Sequence, residues 1–598
     1  MKKINLSLTP LFVIVVIILA ASVIGFKPNG EQTITKELVN QRAIDNLKLT
    51  NPTVSEQVSI NKSIYNFKNY ELFTISEQID ARALNEFVYD AKFLTLNRQK
   101  LEQIYNDRKD NIDLVLPIGE NSNITLNLVK GEIVSPDFRF TAMETGQDIP
   151  FQSLGIHYSG VIEGTESLVS ISIFPDHILG IISDKDGNWN LGSIKDDNNN
   201  YTDNYIYYND RDLKKHPQFK CYMDGRYGTA NGKLNDFDIQ IETMKENYNG
   251  EVMSDNSVTP MKVYFVADYS FWQATGGNGQ AIIDYIVGFF NSVRTLYQNE
   301  NIPFQIAYIA GYTSPDPMMV TSDTYYALKI FAAQIQNQMQ GGHIAHLLSL
   351  RQEYGGGIAS IIGSLCKPYN AADSSGSYCL SGIETQYNQY PNFSFTVEVV
   401  THEMGHNIGS RHTHACVWPQ PGGGIGPLDT CVLTGENSTF SGFPEACVPV
   451  QPQNGCFQAA PGTVMSYCHF CQTNNFLLGF GPYPGDTIRL RYSQAQGCLS
   501  IGVQNISEEI PQSFSLNQNY PNPFNPTTNI QFDITNAGMV KLYVYDMTGK
   551  VVAVLVNEEL SAGTYKYSFD AGGLPSGIYF YKLVSGDLSQ LRKMVLLK

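Results

Sequence analysis

Four of the ten histidines in this 598-residue chain fall within residues 399–414, "VVTHEMGHNIGSRHTH". His402 and His406 are four residues apart. On an α-helix that spacing sets them ~40° apart around the axis and ~6 Å along it, so both imidazoles can face one point. A continued helix would carry His412 ~15 Å along the axis and onto another face. It can join the other two only if the chain turns back after His406. Gly409 stands there, and glycine tolerates the positive φ with which helices end sharply. The spacing therefore predicts three imidazoles at one point, two from a helix and one from the turn behind it.

Three neutral imidazoles leave a tetrahedral zinc ion one open position, which marks a catalytic rather than a structural site. Zinc draws the pKa of a bound water towards neutrality and polarises a carbonyl. Glu403, directly after the first histidine, is placed to take that water's proton and pass it to a leaving amine. The implied chemistry is amide hydrolysis by activated water, without a covalent intermediate. The competing reading is a histidine-rich helix that holds no metal. The long pattern H-E-x-x-H-x-x-G-x-x-H is far more specific than H-E-x-x-H alone. Val397, Val399, Val400, Met404 and Ile408 are assigned to core.

The elements that must position these groups are visible upstream. "MKVYFVAD" and "IPFQIAYIAGY" read as buried strands, and "IAHLLSL" and "GGIASIIGSLC" as strand-like. "GQAIIDYIVGFFNSVRTLYQNE" has apolar residues at helical spacing (Ile282, Ile286, Phe289, Phe290, Val293), and "DTYYALKIFAAQIQNQM" reads as a second helix. Strands alternating with helices argue a largely parallel sheet with helices packed on it. A further helix over residues 393–408 carries the histidines. Before this region lies a short helical lead with helical spacing in "ISEQIDARALNEFVYDAKFLTL", then β-type runs from residue 112. Residues 245–260 are polar and aperiodic, an exposed linker of the kind proteases cut. The tail alternates short strands with turn signals and no helix, a small β-sandwich.

Composition and termini bound the setting. A formal net charge of −17 argues against a nucleic-acid binder, whose contacts need Lys and Arg clusters. Lys2 and Lys3 precede a short apolar run at residues 11–25, the anatomy of a secretory signal peptide cut between Ala20 and Gly25. The alternative is an uncleaved anchor. Nothing later is long and apolar enough to span a bilayer. Nine of the ten cysteines lie between residues 366 and 498, which in an exported chain reads as disulfides stapling a loop-rich region. "CHFC" at 468–471 is read the same way. Cys221 stands apart. Removing it with an upstream segment leaves nine cysteines, and so one unpaired.

The long histidine motif, together with Met465 in "GTVMSYCH", resembles the metzincin clan of zinc endopeptidases. Within it, "VYFVADYSFW", "AHLLSL", "GGIASIIGSLC" and "HEMGHNIGSRH" resemble the reprolysin (adamalysin, or ADAM-type) family in its bacterial form. The resemblance implies one catalytic Zn²⁺ held by His402, His406 and His412, with Glu403 as base and Met465 as the floor beneath the metal. It also implies a sheet edge at "GGIASIIG" that pairs with extended protein or peptide substrates. A bound Ca²⁺ is implied by the family alone, for no acidic loop here demands it. Two positions depart from the pattern. Thr413 stands where reprolysins commonly have Asp, and Tyr467 matches an offset used by astacins and serralysins to bind zinc or steady an oxyanion. Residues 26–250, with "HYSGVIEGTESLVSISIFPDHILGIISDKDGNWNLGSI", resemble a reprolysin propeptide. Such propeptides place a cysteine on the open zinc position, and Cys221 is the candidate. His414 and His469 are read as surface or supporting residues.

From about residue 512, "NYPNPFNPTT", "VKLYVYDMTGK" and "PSGIYFYKLV" resemble the C-terminal sorting domain (type A) of type IX secretion. That implies a Bacteroidetes-type Gram-negative source, handling by the type IX machinery, and release or surface attachment. The resulting expectation is multidomain: signal peptide 1–25, β-rich pro-region 26–250, α/β metzincin domain 251–505 with a mixed, mostly parallel sheet, and β-sandwich 510–598. The expected product is a secreted zinc endopeptidase made as a zymogen, with no membrane span after signal removal. The rivals are a non-enzymatic surface adhesin and a metzincin of astacin, serralysin or pappalysin type.

Overall fold

A computed structural model describes residues 51–216 except 137, Cys221, 259–383, 389–415, parts of 417–468, 474–499, and 503–597 apart from 508–510 and a few single positions. The signal segment, nearly all of the 245–260 linker, and Cys416, Cys447, Cys456, His469 and Cys471 lie outside the described residues. No described helix is long and apolar enough to cross a membrane.

The N-terminal unit is built on a ten-stranded sheet. Its body is an antiparallel meander from Asn111–Gly119 through Gly187–Lys195 to Tyr201–Asn209. In Asn111–Gly119, fully buried Ile112, Leu114 and Leu116 alternate with half-buried neighbours, as a one-sided strand requires. Strands Ile156–Ile162 and Leu168–Ile173 are buried throughout because their second face lies on helix Gly279–Asn299. The helical spacing over residues 75–96 yields only one π-turn, Ala83–Phe87. Lys92–Leu96 is instead a strand between Tyr201–Asn209 and Phe73–Ile75, burying Phe93, Leu94 and Leu96. Pairing across the sheet overrides local spacing there.

The second unit has a six-stranded sheet in the order Gly356–Ala359, Tyr378–Gly382, Ile344–Ser349, Met261–Ala267, Phe304–Gly311 and Phe140–Ala142. The first pair is antiparallel and the rest are parallel, so the mixed, mostly parallel sheet is borne out. The last strand was not legible in the sequence. The meander skips Phe140–Ala142 and lends it to the neighbouring sheet, where it pairs with Phe304–Gly311.

Helix Gly279–Asn299, capped by the Asn278 side chain, is held on both faces. Ile282, Ile286, Phe289, Phe290 and Val293 face the catalytic sheet's core, as their spacing predicts. The opposite face meets the N-terminal unit through polar groups: Asn291 Nδ2 donates to the carbonyls of Tyr158 and Ile171 at 3.0 and 3.1 Å, and the Ser292 and Ser170 hydroxyls are 2.6 Å apart.

The C-terminal unit is a β-sandwich of two four-stranded antiparallel sheets around Phe532, Leu542, Tyr581 and Leu583. Strand Val503–Ser507 pairs with Gly563–Asp570 of this unit.

Candidate metal centre

Helix Ser394–Ile408 carries the first two histidines, close to the expected span. Its own residues supply no side-chain cap. Asn190 of the N-terminal unit does, accepting from the backbone N–H groups of Phe393 and Ser394 at 3.2 Å each. The helix ends at Gly409, whose φ of 140° is barred to most side chains. The N–H groups of Gly409 and Ser410 both return to the Gly405 carbonyl, and the chain folds back. His412 is thereby delivered to the face holding His402 and His406.

The three Nε2 atoms lie 3.1, 3.1 and 3.2 Å from one another. Their orientation is set from behind. His402 Nδ1–H donates to the Val464 carbonyl and His406 Nδ1–H to the Ser410 carbonyl, each at 2.8 Å. With Nδ1 protonated, each Nε2 turns a lone pair inward. Lone pairs converging in a fully buried site repel unless a cation sits among them. The donor set therefore fits a divalent metal of zinc type. A fourth donor is present: the Cys221 Sγ is 3.5 Å from His406 Nε2, and the ligand atoms of Cys221, His402, His406 and His412 all lie within 4.8 Å of one another.

Glu403 is fully buried between the helix and the edge strand Gly356–Ala359. A Cβ at Gly357 would overlap the Glu403 Cγ and lie 2.6 Å from its Oε1, so only glycine lets the strand pass. Cys221 pairs in parallel with the same Gly357. Met465 is fully buried beneath the helix, with its Sδ against Gly405. The Tyr467 ring lies 4.7 Å from that of His412, and its hydroxyl donates to the Cys221 carbonyl at 3.3 Å. His414 is not at the surface; it is buried and stacks on His412 at 4.8 Å.

The cysteines resolve further. Cys366 bonds Cys498, and Cys431 bonds Cys468, so "CHFC" sends its first cysteine to an upstream loop. Cys379 is a buried free thiol, its pKa pushed well up by burial and then by Glu403. With Cys221 and Cys379 both outside disulfides, eight of the ten cysteines remain for pairing. Sequence reading missed the Asn190 cap, the Val464 and Ser410 carbonyls and the spacing role of Gly357. Backbone acceptors carry no residue-type signal, and the cap comes from another unit.

The N-terminal unit reaches this helix through a small polar cluster of Asn188, Asp210, Arg211 and His216 against Ser394, Glu398 and Asn474. Burial pushes Glu398 up to about 8, reinforced by Asp210, while burial pushes Asp210 itself up to about 6. A raised carboxyl pKa favours the docked state while the group is protonated, and that stability is lost as pH climbs through the raised value. Buried His157 and His346, with pKa values lowered by desolvation to about 3, are neutral above pH ~7 in either state. Between pH 7 and 8 Glu398 and Asp284, the latter pushed up to about 7 by burial, lower stability as pH rises, and Lys195, which burial pulls down to about 8, opposes them in part. The melting temperature of the full chain is expected to fall over that interval, and Glu398→Gln to flatten the fall. A wild-type profile that rises from pH 7 to 8 would contradict this.

The histidine triad at a helix end, the methionine turn and the mixed sheet define a metzincin-type metallopeptidase centre. Comparison with known families agrees: residues 259–476 match the model of metallo-peptidase family M12, and residues 518–597 match that of the secretion system C-terminal sorting domain. The chain thus carries a reprolysin-type M12 zinc-metallopeptidase domain followed by a type IX sorting domain, which places the protein outside the cell or on the surface of a Bacteroidetes-type Gram-negative bacterium. Over 368 residues it is 22% identical to a disintegrin and metalloproteinase domain-containing protein 1 of Rattus norvegicus, covering 60% of this chain. The chain spans 43% of that relative's length.

Proposed function

We propose that the protein is a secreted zinc endopeptidase made as a latent precursor, with His402, His406 and His412 as metal ligands, Glu403 as general base and Cys221 as the latency residue. The observation that supports this best is the convergence of three imidazole Nε2 atoms and one thiol on a single buried point. When bound there, zinc supplies Lewis acidity that polarises a peptide carbonyl and acidifies a water. Glu403, wedged between helix and edge strand, takes the proton of the attacking water and delivers it to the departing amine. Strand Gly356–Ala359 offers its free edge to an extended substrate, and Tyr467 offers a hydroxyl to the developing oxyanion.

In the precursor both places are taken. Cys221 aligns with Gly357 on the substrate ladder, its carbonyl receives the Tyr467 hydroxyl, and its Sγ faces the histidines. Cys221 would hold a bound metal through its thiolate and so keep out the water that hydrolysis needs. We further assign residues 26–250 to the pro-region and 510–598 to the sorting domain, and end the catalytic domain, expected over 251–505, before residue 503, because strand Val503–Ser507 pairs with Gly563–Asp570 of the C-terminal unit. The substrates are proteins or peptides met outside the cell.

The test is metal analysis of the purified full chain. One zinc per chain is expected, with hydrolysis by the activated form lost to a chelator and restored by zinc. His406→Ala should abolish stoichiometric binding; undiminished zinc in that variant would remove the site from these residues.

A further inference from the structure

The residue after the third histidine is anchored by a carboxylate from another loop. Thr413 is buried, and its Oγ1 donates to Asp429 Oδ2. Ser466, directly after Met465, donates its Oγ to the same oxygen at 2.7 Å. Oδ1 of Asp429 accepts from the Cys431 N–H at 3.1 Å, which fixes the carboxylate in its own loop. The backbones are laced alongside: Thr413 N–H donates to the Met465 carbonyl at 3.1 Å and Leu428 N–H to the Thr413 carbonyl at 2.7 Å. Two residues beyond Asp429 and two beyond Ser466, the Cys431–Cys468 disulfide joins the same two segments covalently. Asp429 and these two sulfurs also form a close group, but the sulfurs are bonded to each other and leave no thiolate for a second metal.

Two buried hydroxyls that both donate need one strong acceptor, and an ionised carboxylate oxygen takes both. Removing it takes that acceptor from both hydroxyls beside the ligand loop and leaves Thr413 the longer contact to the Met465 carbonyl at 3.3 Å. We propose that Asp429 is a positioning residue of the metal centre. Through Thr413 it holds His412 at the shared point, and through Ser466 it holds the turn bearing Met465 and Tyr467. It touches neither substrate nor metal. The position after His412, where the resembling family commonly has aspartate, here holds only a hydroxyl, and the carboxylate reaches the spot from residue 429. This inference rests on the reading of the three histidines as ligands.

The experiment uses the full chain loaded with cobalt(II) and compares wild type, Asp429→Ala, Thr413→Val and the double variant. Release of the metal to a chelator is expected to quicken by about 10–100-fold in each single variant, the usual cost of losing a supporting partner. The cobalt d–d absorption should shift with it. The double variant should be no faster than the worse single one, because both substitutions break one chain of contacts. Asp429→Asn, which keeps an acceptor oxygen, should recover part of the loss, and it serves as the readout if Asp429→Ala does not fold. Wild-type release rates in Asp429→Ala, or fully multiplicative effects in the double variant, would overturn the proposal. If instead His402→Ala keeps cobalt as firmly as wild type, the ligand assignment itself fails, whatever Asp429 does.

Discussion

Glu403→Gln in the activated chain is expected to cut peptide hydrolysis by about 10²–10⁴-fold, the range for losing a positioned general base. Bound zinc should stay at the wild-type level. The two expectations separate because Glu403 lies outside the group of converging donors: the four inward ligand atoms belong to Cys221, His402, His406 and His412. The amide keeps the size of the carboxylate, so the contact with Gly357 and the strand edge is preserved. What is lost is an acceptor for the water's proton at neutral pH. The decisive measurement is kcat/KM on a small peptide alongside zinc content. Full activity in the glutamine variant would remove Glu403 from the chemistry. Loss of zinc together with activity would recast it as a structural support of the histidines.

Cys221→Ser is expected to convert the uncut precursor from latent to partly active. A gain of about tenfold or more on a short peptide corresponds to ~1.4 kcal/mol of lost thiolate binding. A serine hydroxyl has nearly the same shape but does not ionise at neutral pH, so it does not compete with water for the metal as a thiolate does. The gain should be smaller on large proteins, because the backbone of residue 221 still occupies the edge strand at Gly357. In the cobalt-loaded wild-type chain, the near-ultraviolet sulfur-to-metal band should be present, and it should vanish in the serine variant. Unchanged latency with an unchanged spectrum would show that the thiol plays no part.

The metal centre was largely legible in the sequence because its information is local. His402, His406, Gly409 and His412 lie within eleven residues, and helix geometry plus one glycine turn suffices to bring them together. Met465 and Tyr467 came only through family resemblance, since nothing about a methionine in a glycine-rich loop points at a metal. Illegible were the features that depend on distant partners. Asn190 caps a helix more than two hundred residues later. Phe140–Ala142 leaves its own meander for another sheet. The apolar spacing near Ala83–Phe87 suits a helix as well as a strand until the neighbouring strands are known. Periodicity reports which face is buried, not what buries it.

The strand lent by the pro-region alters what cutting the linker can achieve. A single cleavage in the linker expected over residues 245–260 would break one covalent bond. It leaves Phe140–Ala142 paired with Phe304–Gly311, Asn190 on the helix start and Asn291 bound to two pro-region carbonyls. On the proposed latent-precursor reading, the nicked molecule would be an inhibitor–enzyme complex, governed by a dissociation constant and by dilution. At the crowded cell surface the severed segment stays bound or rebinds; carried away into the medium, it does not. Activity would then depend on where the protein is as much as on whether it has been cut.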